Sequence, residues 1–143
     1  MLYNGHYYQI APVQDTFADA IAQASQMSFN GQLGYLAAVS SQDEYNFIDK
    51  TLGARNVWLA ATDIQQEGVW LTAAGPNISA PAPADVWAFG EPFGGQGENC
   101  AFSLTGGLSD SDCNQARFYV IEYECQTVGS MPCERMISTL SLH

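Results

Sequence analysis

The sequence predicts one α+β domain with a long loop, and three observations carry that prediction. Two segments place apolar residues at helical spacing, each opened by a Ser or Thr in capping register. Around them lie short runs rich in Val, Trp, Tyr and Phe that read as strands. From Ala73 to Gly97 the chain is Ala, Pro and Gly with little periodicity, and so long an irregular stretch inside a domain is usually functional or disordered. At 143 residues the chain suits a single domain with a substantial core. Its 47% hydrophobic and 13% charged residues exclude an intrinsically disordered protein.

In chain order, "YNGHYYQIAP" alternates aromatic and polar residues and reads as one strand ending at Pro12. "TFADAIAQASQM" opens with Thr16 and Asp19 in capping-box register and sets Phe17, Ile21 and Ala24 on one face, which predicts the first helix. A turn at Asn30-Gly31 leads into the short apolar "LGYLAAV". The second helix follows in "SSQDEYNFIDKTLG", with Ser41 and Glu44 in the same register, Tyr45, Ile48 and Leu52 at helical spacing, and Gly53 as the stop. "VWLAA" and "VWLT" read as strands around the polar turn "TDIQQEG". The last two, "CAFSLT" and "RFYVIEYE", follow the long loop, and the continuous apolar run of the second predicts burial on both faces.

Composition removes several functions. Fifteen acidic residues face four basic ones (Lys50, Arg55, Arg117 and Arg135), for a net charge of -11. Such a chain offers no phosphate-neutralising surface, so nucleic acid and anionic membranes are poor partners. No apolar run of membrane-spanning length occurs, and the longest uncharged stretch, Gly68 to Ala84, is broken by Gly75, Pro76, Pro81 and Pro83. The opening residues lack the basic and apolar regions of a signal peptide. Cys100, Cys113, Cys125 and Cys133 match no zinc spacing, and their even number favours disulfides, with three connectivities open. Disulfides imply an oxidising compartment, hence a secreted or cell-surface protein whose export signal is not in this chain. Catalysis has little to build on. The histidines are His6 and His143, and no Ser or Cys stands in a nucleophile context. Glu91 and Glu98 in "GEPFGGQGENC" are the candidate acid and base, but no apolar wall is visible to shift either pKa. The expectation is a binding protein and not an enzyme.

Five pieces in order, "NGHYY", "TFADA", "GYLAAVSSQDEYNFI", "VWLAATDIQQEGVWLT" and "WAFGEPF...GENC...DSDC...FYVIEYE", resemble the C-type lectin-like domain family, particularly its bacterial extracellular members, from about Tyr3 to Glu124. The resemblance implies two helices flanking small antiparallel sheets, the second sheet carrying a long ligand-bearing loop. It assigns residues 1–125 to that domain and leaves 126–143 as an extension. It also implies a calcium site. Glu91 matches the first carboxylate of the family's E-P-N, Glu98 the Glu before the Cys, and Asp110 the Asp of the following strand. Pro92 matches a proline that is typically cis. Phe93 and Ser109 stand where the family has asparagines, each giving calcium a carbonyl oxygen and a sugar hydroxyl an amide N–H. Phe93 offers an aromatic platform in their place, or a ring tucked into the base of the loop.

A second calcium position in the family matches Asp63 and Glu67, with Glu98 and Asn99 as shared partners, and Gly94 stands where another acidic ligand is expected. Members without calcium keep this turn for its hydrogen bonds. The family's inner disulfide matches Cys100 and Cys113. Its other bridge has no counterpart, because the first helix lacks a Cys and Tyr123 fills the partner position. Cys125 and Cys133 lie beyond the matched region and most simply pair with each other, the alternative being a link between subunits. Independently of the family, Glu91, Glu98 and Asp110 brought together need a cation, a proton or solvent screening to offset their repulsion.

The expected function is therefore an extracellular, calcium-supported module that recognises carbohydrate or another surface ligand through residues 85–112. The alternative is a calcium-independent structural subunit that assembles with copies of itself as a homo-oligomer or filament. The tail "QTVGSMPCERMISTLSLH" favours that alternative, since Met131, Met136, Ile137, Leu140 and Leu142 need something to be buried against.

Overall fold

Two glycines at positive φ, Gly5 (83°) and Gly31 (79°), reverse the chain in its first third and give two hairpins. The first pairs β1 (Leu2–Tyr3) with β2 (His6–Ile10) in the register Leu2↔Tyr7 and Tyr3↔His6. This corrects the reading of Tyr3 to Pro12 as one strand: Asn4-Gly5 is a two-residue hairpin signal that outweighs the alternation running through it. The second pairs β3 (Ser28–Phe29) with β4 (Gln32–Leu36). The structure is a computed structural model. It describes residues 1–124 except 4, 30, 75–76, 82–85, 89–90, 93–96 and 105, with backbone alone for 73–74 and 77–81. Phe93, Gly94, Cys125, Cys133 and the extension 126–143 lie outside the described residues.

Both expected helices form at their capping signals. In α1 (Phe17–Ala24) the Thr16 hydroxyl accepts the Asp19 N–H at 3.3 Å, and Phe17, Ala20 and Ala24 are buried. In α2 (Gln42–Asn46) Ser41 accepts the Glu44 N–H at 3.1 Å. The chain then widens into a π-helical turn over Phe47–Thr51, where the Leu52 N–H reaches back to the Phe47 carbonyl at 2.9 Å, and Gly53 ends it at φ 76°. The wider turn buries Phe47, Ile48 and Asp49 in succession, and Asp49 is neutralised by Arg55 Nε at 2.8 Å.

The first sheet runs β1-β2-β10-β4-β3, with β10 (Val120–Glu124) at its centre. As the apolar run predicts, β10 is buried from Val120 to Tyr123. The second sheet runs β7-β6-β5-β8-β9 and comprises β5 (Trp58–Thr62), β6 (Leu71–Ala74), β7 (Asn77–Pro81), β8 (Cys100–Leu104) and β9 (Gly107–Ser111). Every pairing in both sheets is antiparallel. Two of these strands depart from the sequence reading. β7 lies in the stretch expected to be irregular from Ala73 to Gly97, because "NISAP" finds the open edge of β6. β9, "GLSDS", shows no apolar pattern and yet is buried throughout.

Two apolar clusters join the layers. One gathers Tyr8, Tyr45, Phe47, Ile48, Leu59, Leu108 and Val120 beneath α2. The other gathers Phe17, Leu36, Trp58, Phe102, Ile121 and Tyr123 beneath α1. Trp58 is fully buried, with Phe17 edge-on at 5.6 Å and its indole N–H on the Asp15 carbonyl at 2.9 Å. At the position where a second bridge would tie α1 to the last strand, the structure has aromatic packing. Tyr7 stacks on Phe29 at 4.4 Å, and Tyr123 lies against both.

Candidate functional site

The site is built on the β8–β9 hairpin. Cys100 and Cys113 form a disulfide with Cα atoms 5.2 Å apart, and the register Cys100↔Ser111, Ala101↔Asp110, Phe102↔Ser109 places Ser109 and Asp110 on β9 opposite the start of β8, which Glu98 and Asn99 immediately precede. The turn after β5 is clamped to the same point. The Thr62 hydroxyl donates to the Asn99 carbonyl at 2.6 Å, and the Asp63 N–H reaches that carbonyl at 3.2 Å. Asp63 also closes its own turn: Oδ2 accepts the Gly68 N–H at 2.9 Å and its carbonyl accepts the Gln66 N–H at 3.1 Å. Glu67, at the tip, is exposed.

Glu91 is brought in from the other side. The Ala88 N–H donates to the Leu108 carbonyl at 2.8 Å and the Glu91 N–H to the Ala88 carbonyl at 2.9 Å, so the root of the loop lies along β9. That approach requires Gly107, where a Cβ would stand 2.4 Å from the Ala88 nitrogen. The Glu91–Pro92 peptide is cis, as the resemblance implied.

The acidic side chains feel one another. The Glu91 carboxyl is held above its ordinary range by burial first, then by a hydrogen bond shared with Asp110, with the Ser109 hydroxyl pulling it down and the charges of Asp110 and Glu98 pushing it further up. Glu67 is raised by desolvation, then by the charge of Asp63, a hydrogen bond with Asp63, and the charge of Asp110. Asp110 thus bears on Glu91 of one expected set and on Glu67 of the other. Burial of Glu91 was not visible in the sequence, which showed no wall around the loop.

Two oxygens of these side chains, Asp63 Oδ1 and Glu91 Oε2, are buried without a hydrogen-bond partner among the described residues. A buried, unpaired carboxylate oxygen costs several kcal/mol unless a proton or cation meets it. The donors are hard oxygens, the kind calcium takes six to eight of. Among the described residues no three acidic, His or Cys side chains stand together as a metal set, so the fit to calcium rests on the type of donor alone. The turn geometry of Asp63 accounts for only one of its two oxygens.

Four contributing residues were not singled out from sequence. Thr62 pins the Asn99 carbonyl. Trp70 and Trp87, half-buried, meet edge-on at 4.8 Å near the root of the loop, and the recurring "VW" in which each stands was the available signal. Arg117 lies 3.8 Å over the Phe102 ring and donates to the Ser111 hydroxyl at 3.1 Å, bracing β9 from behind.

Comparison with known proteins defines the class. The family model for the lectin C-type domain matches residues 19–127, and the chain belongs to that family. The relatives in that family are lectins, binding modules and not enzymes. It is 27% identical over 120 residues to the CD209 antigen of Symphalangus syndactylus, covering 82% of this chain and 30% of that protein. It is 28% identical over 137 residues to lectin BRA-3 of Megabalanus rosa, covering 92% of this chain and 78% of that one. The chain thus spans less than a third of the first relative and most of the second. The mouse scavenger receptor C-type lectin carbohydrate-recognition domain superposes with a TM-score of 0.75 at 24% identity, covering 90% of this chain and 96% of that one, which shows the shared fold. The relatives are mostly animal proteins and lend no support to the expected bacterial affiliation. Among the described residues no helix is long and apolar enough to cross a membrane.

Proposed function

We propose that the chain is an extracellular carbohydrate-recognition domain, with its ligand over residues 85–112 and calcium as the supporting ion. The observation that carries this reading is the pair of unpartnered buried oxygens, Asp63 Oδ1 and Glu91 Oε2, with like charges bearing on Glu91. Glu91, Glu98 and Asp110 would hold the ion on the loop side, with Ser109 as a neutral donor. Asp63, Glu67 and Asn99 would serve the turn side. Bound calcium supplies a positive centre with open positions for sugar hydroxyls. Around it this chain offers fewer amide groups than the family pattern, because Phe93 and Ser109 replace asparagines, so stacking on Phe93 carries more of the selectivity. The Cys100–Cys113 disulfide supports the extracellular assignment.

A melting titration tests the metal and a glycan array tests the ligand. About 10 mM calcium exceeds the dissociation constants of extracellular sites by roughly ten- to a hundredfold, which stabilises the fold by about 1.4–2.7 kcal/mol relative to chelator. Glu98→Gln should abolish that shift. Asp110→Asn should weaken it on both the loop side and the turn side, whereas Asp63→Asn should affect the turn side. Equal melting temperatures in chelator and calcium would sink the metal reading.

The second reading, a self-assembling subunit independent of calcium, draws on Leu33 (66% exposed) and Met27 (37% exposed), which flank the short β3 at the open edge of the first sheet. Light scattering after size exclusion decides it, and a clean monomer at high concentration rejects it.

A further inference from the structure

The first sheet bears a cleft of about 490 Å³ whose walls include Tyr3, Tyr8, Tyr35, His6, Glu122 and Glu124, and none of the candidate calcium ligands lines it. Its volume falls within the usual range of small-ligand sites. We propose that this cleft binds a guanidinium group, set between the carboxylates of β10 and the tyrosine rings. The proposal does not rest on the carbohydrate reading.

Charge calls for a cation. Glu122 and Glu44 are 4% and 7% exposed, and Glu124 stands at the rim with its side chain 52% exposed. His6 touches Glu122 and holds Nε2 3.5 Å from Glu124. Glu44 is met instead by neutral donors, the Tyr8 hydroxyl at 2.5 Å and the Ser40 N–H at 2.8 Å. The cleft thus carries three carboxylates and one imidazole, which serves two of them, and among the described residues no Lys or Arg lines it. Glu122 is pushed up to about 7, by burial first and then by the charge of Glu44, as expected where positive charge is short.

Geometry selects the kind of cation. Glu122 and Glu124 are two residues apart on β10 and so share one face of the strand. The Tyr35 hydroxyl lies 3.0 Å from an oxygen of each, which holds the two carboxylates within reach of one flat, multi-donor group. Among the described residues Glu124 Oε2 has only His6 Nε2 near it, so acceptor capacity is left at the rim. A guanidinium presents five N–H donors in a plane and is weakly hydrated, whereas an ammonium is strongly hydrated and resists partial burial. Tyr3, anchored by stacking on Phe47 at 4.6 Å, and Tyr35 line the cleft half-buried and supply ring surface for that plane to stack on.

Chemical-shift titration of the full chain in chelator tests the proposal, with methylguanidine, methylammonium and the peptide acetyl-Gly-Arg-Gly-amide as probes. The expected result is saturable binding in roughly the millimolar range, with shifts centred on His6, Tyr35 and Glu124. Methylguanidine should bind about fivefold or more tightly than methylammonium. Glu124→Gln changes only the rim and should weaken binding about five- to tenfold, and Tyr35→Phe, which frees the two carboxylates from their common hydroxyl, should weaken it as well. A peptide that binds more tightly than methylguanidine supports the proposal and assigns the group to an arginine of a partner protein; equal affinity supports it and assigns a small molecule. No saturation by about 100 mM methylguanidine, unchanged affinity in both variants, or shifts centred on Glu91 and Asp110 overturns it. Calcium that saturates the same amides in buffer without chelator also overturns it, by making the cleft a metal site.

Discussion

His6 on β2 and Glu122 on β10 meet directly across the first sheet, an imidazole against a carboxylate that is 4% exposed. Burial, followed by the charge of Glu44, pushes Glu122 up to about 7, while His6 and the Tyr35 hydroxyl pull it back. The folded chain therefore holds this proton where the unfolded chain, near 4.5, releases it. Stability from this group is fully present below about pH 4.5 and is lost as pH rises toward 7. Glu122→Gln, which cannot ionise, should remove that loss. Measured as unfolding free energy against pH, the variant should gain on the wild type by about 3 kcal/mol between pH 4 and pH 8. Parallel curves for the two proteins would show that Glu122 does not carry the effect.

Glu91 yields a prediction of the same sign in the proposed calcium-binding region. With its carboxyl raised by burial and by Asp110, the ionised form is disfavoured in the folded chain without a cation. In chelator near pH 7, Glu91→Gln should therefore melt above the wild type. In calcium the order should reverse, because the variant has lost a donor. A variant that melts below the wild type in both conditions would mean that Glu91 holds the loop by its charge.

Gly34 lets α1 lie against β4. A Cβ there would stand 2.7 Å from Ile121 Cγ2, 2.8 Å from the Ala24 carbonyl oxygen and 2.9 Å from Tyr123 Cε1. The carbonyl belongs to the end of the helix and cannot give way as a side chain would. Gly34→Ala should cost about 1–3 kcal/mol in chemical denaturation, the usual penalty of overpacking. A neutral result would imply that α1 shifts freely.

Tyr45 closes the β8–β9 hairpin from below. Its hydroxyl donates to the carbonyls of Leu104 and Gly107, the latter at 2.8 Å. Tyr45→Phe keeps the ring in its cluster and leaves those carbonyls without this donor, at a cost of about 1–2 kcal/mol. Since Ser109 and Asp110 follow directly on β9, the same variant should weaken any calcium-dependent shift, whereas a change confined to stability would separate hairpin closure from the site.

Much of this architecture was legible because local chemistry decides it. The Thr16 and Ser41 caps start helices where their hydroxyls can meet an N–H three residues on, and the apolar run at Val120 marks a central strand. Cys100 and Cys113, together with Glu91, Glu98, Asp110, Asp63 and Glu67, could be named from motif order, and the motif order also pointed to the family. What only the tertiary structure decided involves partners distant in sequence. Alternation along "YNGHYYQIAP" cannot say that Leu2 will face Tyr7, and "GLSDS" becomes a buried strand because β8 and the loop root cover it from both sides. That Asp110 bears on both Glu91 and Glu67 depends on a hairpin register that no local pattern encodes. The same holds for the cleft where Glu44, Glu122 and His6 converge from three separate elements. Local pattern sets the conformation of a segment within a turn or two; the field and burial of a carboxylate depend on what the rest of the chain folds against it.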